Sequence, residues 1–192
     1  MGKTDQTRQC GSSIGKIRRD HVQRYRFAAR RIVPGSRVLD LGCGCGYGSG
    51  ILQDAGLVVT GLDISEDAIS YARRYYGGPD YKLCDVMGEE LETDVLVAFE
   101  IIEHLTDPLS LLRRVRAKQM IVSTPNEKMY PFRPRDFGGD EYPHQRHYRP
   151  DELRTLIREA GYVPRETWCQ KNKVADVTEG EEGIFLVMVA DG

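Results

Sequence analysis

The chain has 192 residues, 40% of them hydrophobic and 29% charged, with a formal net charge of −2. A chain of that size buries a full core as one globular domain, and 20 Gly and 9 Pro without a period exclude a collagen-like or wholly disordered protein. The longest uninterrupted apolar run, Ile184–Ala190, is far short of a membrane span, and the first thirty residues hold no apolar block. No membrane association and no secretory signal are therefore expected, and the expected location is cytoplasmic.

Residues 1–13 are polar and patternless, and are expected to form a flexible N-terminal segment ahead of a single domain over 14–192. From 14 to 32 the apolar positions Ile17, Val22, Tyr25, Ala28 and Ile32 recur at helical steps, and Pro34-Gly35 ends the predicted helix. Charge is uneven here: residues 1–37 carry ten Lys/Arg against Asp5 and Asp20, whereas the remainder carries 17 against 27 Asp/Glu. A basic helix of this kind packs on the acidic body or docks on an anionic partner. The helical pattern favours packing, so a nucleic-acid partner is not indicated.

Strands and helices then alternate. RVLDL (37–41) reads as a buried strand and 47–55 as a helix closed by Gly56. Residues 57–63 form a strand, and Ser65 caps a helix to about Tyr76. Residues 81–85 and 94–100 are further strands, 106–117 a helix, and QMIVSTPN (119–126) a fifth strand. Such alternation implies a parallel sheet covered on both faces. After a helix from Pro150 to Ala160, residues 162–171 and 183–191 read as two strands joined by an acidic turn. Residues 125–149 form a long aromatic, Pro-rich insertion with Tyr130, Phe132, Phe137 and Tyr142, of the length that functional lids or binding loops have.

The first strand runs into Asp40-Leu41-Gly42-Cys43-Gly44-Cys45-Gly46-Tyr47. Glycines let backbone N–H groups approach a ligand, and the following helix N-terminus favours negative charge. The sixth position from Gly42, Gly44 or Gly46 is Tyr47, Ser49 or Ile51, so the dinucleotide fingerprint fails in every register. Asp63 ends the second strand, where a carboxylate accepts both ribose hydroxyls, and Asp85 ends the third. The five cysteines are odd in number, and Cys43 and Cys45 are one residue apart, too close for a usual zinc pair. Reduced thiols are expected.

VLDLGCGCGYGS, GLDIS, FEIIEHL and STPN together resemble the class I S-adenosylmethionine-dependent methyltransferases over about residues 20–165. The resemblance implies an α/β, Rossmann-like doubly wound seven-stranded sheet with an antiparallel last strand, and S-adenosyl-L-methionine as cofactor. It places Asp40, Gly42, Gly44 and Gly46 around the methionine moiety, under a helix that carries Tyr25. Asp63 is then expected on the ribose, Ile64 on the adenine, Asp85 and Val86 at its edge, and Glu100 and Ile101 near the sulfonium.

Glu100, Glu103 and His104 share one face if their segment is helical. His104 and Glu103 are the candidate catalytic residues, with His104 as base or orienting group. The alternative is a divalent cation, Mg²⁺ or Mn²⁺, on Glu100, Glu103 and His104, with His147 or else His144 from the insertion as a further ligand. EIIEHL resembles the ubiquinone-biosynthesis O-methyltransferases, which implies a small-molecule acceptor. It also partly resembles the small-RNA 3′-terminal 2′-O-methyltransferases, whose glutamates and histidines hold a metal. A metal-dependent RNA methyltransferase and a non-catalytic cofactor-binding module are the alternative functions.

Overall fold

In the computed structural model, which describes residues 9–88, 90–136 and 143–192, the apolar runs of the sequence become the middle of one sheet. In chain order the strands are β1 Arg37–Leu41, β2 Val58–Asp63, β3 Asp80–Leu83, β4 Leu91–Glu92, β5 Val95–Phe99, β6 Val115–Arg116, β7 Gln119–Pro125, β8 Val163–Gln170, β9 Thr178–Glu179 and β10 Phe185–Asp191. The helices are α1 Arg19–Ala29, α2 Tyr47–Asp54, α3 Glu66–Tyr75, α4 Pro108–Arg114 and α5 Pro150–Glu159. The large sheet has the order β3-β2-β1-β5-β7-β10-β8-β9. Its first five strands are parallel, and β10 runs antiparallel between β7 and β8. This is the expected doubly wound sheet with an antiparallel last strand, extended by the two-residue β9 at its edge.

The period-two arrangement of side chains divides the core into two layers. Val95, Val97 and Phe99 of β5 face Val22, Tyr25 and Phe27 of α1 and Leu52 of α2. Leu96 and Ala98 face the opposite way, toward Leu111 and Leu112 of α4 and Leu153 and Ile157 of α5. Because both faces are covered, β5 is buried at every residue.

Two elements differ from the sequence reading. The expected helix over 14–32 starts only at Arg19; a single 3-10 turn, Ile14–Lys16, precedes it, and Ile17 is extended. Gly15 lies in that first turn, where glycine disfavours continuous helix. The predicted apolar positions Ile17, Val22, Tyr25, Ala28 and Ile32 are nevertheless all buried. The helix expected over 106–117 ends at Arg114, because Val115–Arg116 pairs in parallel with Leu91–Glu92. At its start, Asp107 accepts from Ser110 N at 3.0 Å and Pro108 occupies the first turn. Among the described residues no helix is long and apolar enough to cross a membrane.

Candidate active site

The glycine loop leaves β1 and enters α2 through three left-handed glycines, Gly42, Gly44 and Gly46, at φ 69°, 54° and 84°. Two of them are also sterically required. A Cβ on Gly46 would lie 2.5 Å from Ala72 Cβ, and one on Gly42 would lie 2.7 Å from Ile101 Cδ1. The loop is thus wedged between α3 and the chain that follows β5, which puts Ile101 directly against it. Asp63 Oδ2 accepts from Gly44 N at 2.9 Å, and its Oδ1 accepts from Ser65 N at 2.9 Å. These bonds fix the carboxylate beside the loop. Ile64, the next residue, is 52% exposed, an unusual setting for isoleucine. Asp85 and Val86 lie just past β3, at the same end of the sheet, and Asp85 Oδ1 accepts from Met87 N at 3.1 Å.

Beneath the loop, Asp40 is fully buried. Its oxygens accept from Tyr25 Oη at 3.0 Å and Ser49 Oγ at 2.6 Å. Burial pushes its pKa up to about 7, against the two hydrogen bonds, and nearby Asp63 adds to the rise. Tyr25 is pushed up too, first by burial and then by Asp40. Beside it His21 Nδ1 and Tyr47 Oη lie 2.9 Å apart; burial, then Arg24 and Arg18, hold His21 well below its usual value. A cation arriving near Asp40 would reverse the penalty on its ionised form.

Past β5 the chain does not form the expected helix. Glu100 takes a left-handed φ of 53°, and Ile102–His104 make a single 3-10 turn. Glu100, Glu103 and His104 therefore do not share one helical face. Glu100 turns toward β7 and α1, where its Oε1 accepts from Ser123 Oγ at 2.8 Å and its Oε2 lies 3.9 Å from Arg24 Nη2. Glu103 instead turns inward and is fully buried. Burial, with Glu100 nearby, pushes its pKa well above the usual carboxyl range.

The insertion supplies the rest. Gln145 N donates to Glu103 O at 2.7 Å, and Tyr148 N donates to Pro125 O at 3.2 Å, so residues 143–148 are laid across this end of the sheet. That path gathers Glu103, His104 and His144, whose ligand atoms all lie within 4.8 Å of one another. Of the candidates Glu100, Glu103, His104 and His147, with His144 as the alternative histidine, the structure brings Glu103, His104 and His144 together, while Glu100 turns toward Ser123 and Arg24. His147 sits one layer behind. Its Nδ1 lies 2.7 Å from Tyr130 O, and its Nε2 lies 2.9 Å from His144 Nδ1. A carbonyl only accepts, so His147 Nδ1 carries the proton and its Nε2 accepts from His144 Nδ1. In the neutral rings His144 Nε2 is then the lone-pair nitrogen. Burial, with His104 and His147 close by, lowers the pKa of His144 to about 3 and keeps it neutral. Tyr130 and Phe132 pack on His147 with ring centroids 5.2 and 5.3 Å away. Phe137 and Tyr142 of the insertion lie outside the described residues, as do residues 1–8 of the N-terminal segment.

The cysteines require a further correction. Cys10 and Cys45 form a disulfide, with their Cα atoms 5.4 Å apart; Cys43, Cys84 and Cys169 lie outside that bond. Spacing could not show this, because the 35-residue separation is closed only when the N-terminal segment folds back onto the glycine loop. Tyr76 Oη, which donates to Gly11 O, holds the same segment down.

Sequence reasoning also missed Arg24, Ser49 and Gln170. The first carried a signal: an arginine inside the apolar stripe of an amphipathic helix, between His21 and Ala28, is either an error of pattern or a buried charge with a purpose. Ser49 and Gln170 carried none.

A parallel sheet with an antiparallel last strand, a glycine loop after its first strand and acids at the carboxyl ends of the next two defines the class I methyltransferase fold. A family model described as a methyltransferase domain matches residues 15–167, and the chain belongs to that family. A probable S-adenosylmethionine-dependent methyltransferase of Mycolicibacterium smegmatis is 33% identical over 160 residues, covering 79% of this chain and 60% of that protein. A ubiquinone biosynthesis O-methyltransferase of Pseudomonas aeruginosa is 34% identical over 152 residues, covering 66% of this chain and 64% of that one. The chain thus spans less than two thirds of the length of these relatives. A SAM-dependent methyltransferase structure from Thermotoga maritima superposes with a TM-score of 0.72 at 20% identity, covering 89% of this chain and 88% of the other, a likeness of fold.

Proposed function

We propose that this domain transfers a methyl group from S-adenosylmethionine to an oxygen of a small-molecule acceptor. One observation carries the reading: Ile101, which packs on Gly42 of the glycine loop, also accepts through its carbonyl from His104 N at 3.0 Å. The cofactor loop and the cluster of Glu103, His104 and His144 therefore meet at a single residue. The ubiquinone biosynthesis names among the relatives support an oxygen acceptor.

The residues present fit the cofactor. Asp63 would hold the ribose, Ile64 the adenine face, Asp85 and Val86 its edge, and Asp40, Tyr25 and Glu100 the cationic methionine end. When bound, S-adenosylmethionine supplies an electrophilic methyl on a sulfonium. The protein's part is alignment of the acceptor oxygen and removal of its proton. His104 receives that proton; His144, held neutral, orients the acceptor, and buried Glu103 lies beside them. Calorimetric titration of S-adenosylmethionine and S-adenosylhomocysteine into the wild type and Asp63→Ala tests the cofactor assignment. Methylation of a panel of phenols and catechols by the wild type and His104→Ala tests the rest. A fall of about 10²- to 10⁴-fold in turnover for His104→Ala with unchanged cofactor binding is expected. Turnover confined to RNA, with steep salt dependence, would replace the acceptor class.

A second reading has its own observation. Glu103, His104 and His144 present one carboxylate and two imidazoles within metal-ligand reach, and His144 Nε2 is oriented by His147 as metal-bound histidines usually are. That donor set suits Zn²⁺ or Mn²⁺ better than the expected Mg²⁺, which prefers oxygen ligands. A cation there would acidify and orient an acceptor hydroxyl. Loss of turnover on chelation and recovery on adding Zn²⁺ or Mn²⁺ would select this reading over the metal-free one.

A further inference from the structure

The Cys10–Cys45 bond ties the segment ahead of α1 to the middle of the glycine loop. Cys45 is 2% exposed and stands between two fixed neighbours. Gly44 N donates to Asp63 Oδ2 at 2.9 Å, and Gly46 has no room for a Cβ beside Ala72, so the loop end of the bond is held in place. The other end has fewer ties. Cys10 is half-buried, and next to it Gly11 O accepts from Tyr76 Oη. From there the chain makes a tight turn of its own: Lys16 N donates to Ser13 O at 3.0 Å, and Ile17 N to Ile14 O at 3.1 Å. The 3-10 turn Ile14–Lys16 buries no residue. The chain roots at Ile17, in the layer that holds Val22 and Tyr25. Residues 10–17 thus form a strap, hinged at Ile17 and pinned at its tip to the loop by one covalent bond.

That bond is the one part of the strap that a change of redox conditions can undo. The strap runs on into α1, whose Tyr25 donates to Asp40 at 3.0 Å beneath the loop, so the pinned tip and the helix close on the glycine loop together. We propose that Cys10–Cys45 is a redox latch on the cofactor site: with the bond formed the strap stays down and slows cofactor exchange past the glycine loop, and reduction frees it. The reductant is a low-molecular-weight thiol of the glutathione class. Its thiolate attacks Sγ of Cys10, the less buried cysteine, the Sγ–Sγ bond breaks, and Cys45 leaves as a thiolate that takes a proton from solvent. A second reductant thiolate displaces Cys10 from the mixed disulfide. Two electrons pass to the protein's two sulfurs, and the reductant departs as its own disulfide. This inference rests on occupancy of the glycine-loop site by S-adenosylmethionine.

The test measures association and dissociation rates of S-adenosylhomocysteine on the intact chain by surface plasmon resonance, across glutathione buffers from oxidised to reduced. The Cys10–Cys45 bond is quantified in the same buffers by mass spectrometry of trapped thiols. Both rates are expected to rise about 10-fold as the bond is lost, with the two midpoints coinciding. Cys10→Ser should show the fast rates in every buffer. Should that variant not fold, hydrogen exchange of the wild type carries the same test: amides over 10–17 should be protected while the bond is formed and labile once it is reduced, with those of β5 unchanged. Rates indifferent to the bond, a redox response that persists in Cys10→Ser, or a bond that fails to form in the oxidised buffer overturns the latch. Loss of β5 protection together with the strap overturns it too, since the bond would then hold the whole fold. Bound ligand with unchanged rates removes the latch alone, whereas absence of binding in every buffer removes the cofactor reading and the latch with it.

Discussion

Replacing Asp40 with Asn removes a carboxyl group that burial makes reluctant to ionise. The folded-state pKa is about 7 against an ordinary 3.8, and desolvation is the main cause. With the folded value raised, the contribution of Asp40 to stability is fully present below about pH 4 and is lost as pH rises through about 7. Over that window the folded protein holds a proton that the unfolded chain has released, so stability falls by about 1.4 kcal/mol per pH unit, on the order of 4 kcal/mol in all. Asn keeps an acceptor for Tyr25 and turns a donor to Ser49 Oγ, which accepts, so the variant retains the local hydrogen bonds. Thermal unfolding of the ligand-free protein from pH 4.5 to 8.5 reads the difference directly. Asp40→Asn should gain on the wild type steadily up to about pH 7 and then hold a lead of roughly ten degrees. The same variant should bind S-adenosylmethionine more weakly at pH 8, where the wild-type carboxylate faces the ligand's positive charge. A melting difference that stays constant across this range would refute the argument, since no proton would then separate the two proteins.

Three further outcomes follow from separate parts of the molecule. A Cβ on Gly48 would fall within the ring of Tyr25, so Gly48→Ala should cost about 1–3 kcal/mol in chemical denaturation and weaken cofactor binding; unchanged values would mean that Tyr25 moves aside freely. The Cys10–Cys45 bond closes a 35-residue separation, so Cys10→Ser should lose about 4 kcal/mol of stability, and dithiothreitol should lower the melting temperature of the wild type but not of the variant. Asp94 accepts from Arg37 N at 3.0 Å and lies 3.0 Å from Lys118 Nζ, contacts that hold its pKa at about 2. Its contribution is therefore present above about pH 4 and lost as pH falls toward 2, and Asp94→Asn should begin acid unfolding at higher pH than the wild type. Coincident acid transitions would contradict it.

The half of the site proposed for the cofactor was legible because it is local. Asp40, the glycines, Asp63 and Ile64 sit on strand ends and tight turns whose geometry is dictated within a few residues, so strand, loop and helix can be read in order. The acceptor half is assembled from chain segments forty residues apart. Nothing in EIIEHL shows that Glu100 adopts φ 53°, which sends Glu100 and Glu103 in different directions. Nothing in PHQRHY shows that the contact between Gln145 and Glu103 presents His144 rather than His147. The disulfide and Gln170 escaped for the same reason, since both depend on tertiary closure rather than on periodicity. Arg24 is the intermediate case: its burial was implied by helical spacing, its purpose only by what surrounds it.

The distribution of unmet hydrogen bonds argues that this end of the sheet is built for a ligand. Among the described residues, the buried side-chain polar atoms without a partner are Arg24 Nη2, both oxygens of Glu103 and Thr124 Oγ1. They come from α1, from the turn after β5 and from the carboxyl end of β7. Each such atom costs about 1–3 kcal/mol, and an ordinary core avoids them. Their concentration is thus a stability deficit that ligand binding should relieve. The Arg24 nitrogen lies beside Glu100, at the end proposed for the methionine part of the cofactor, whereas Glu103 belongs to the cluster with His104 and His144. If that partition is right, S-adenosylhomocysteine should raise the melting temperature and protect α1 from hydrogen exchange while leaving the turn over 102–104 as labile as before. Protection of both regions by S-adenosylhomocysteine alone would mean that the two halves form one site, and that the acceptor is not needed to complete it.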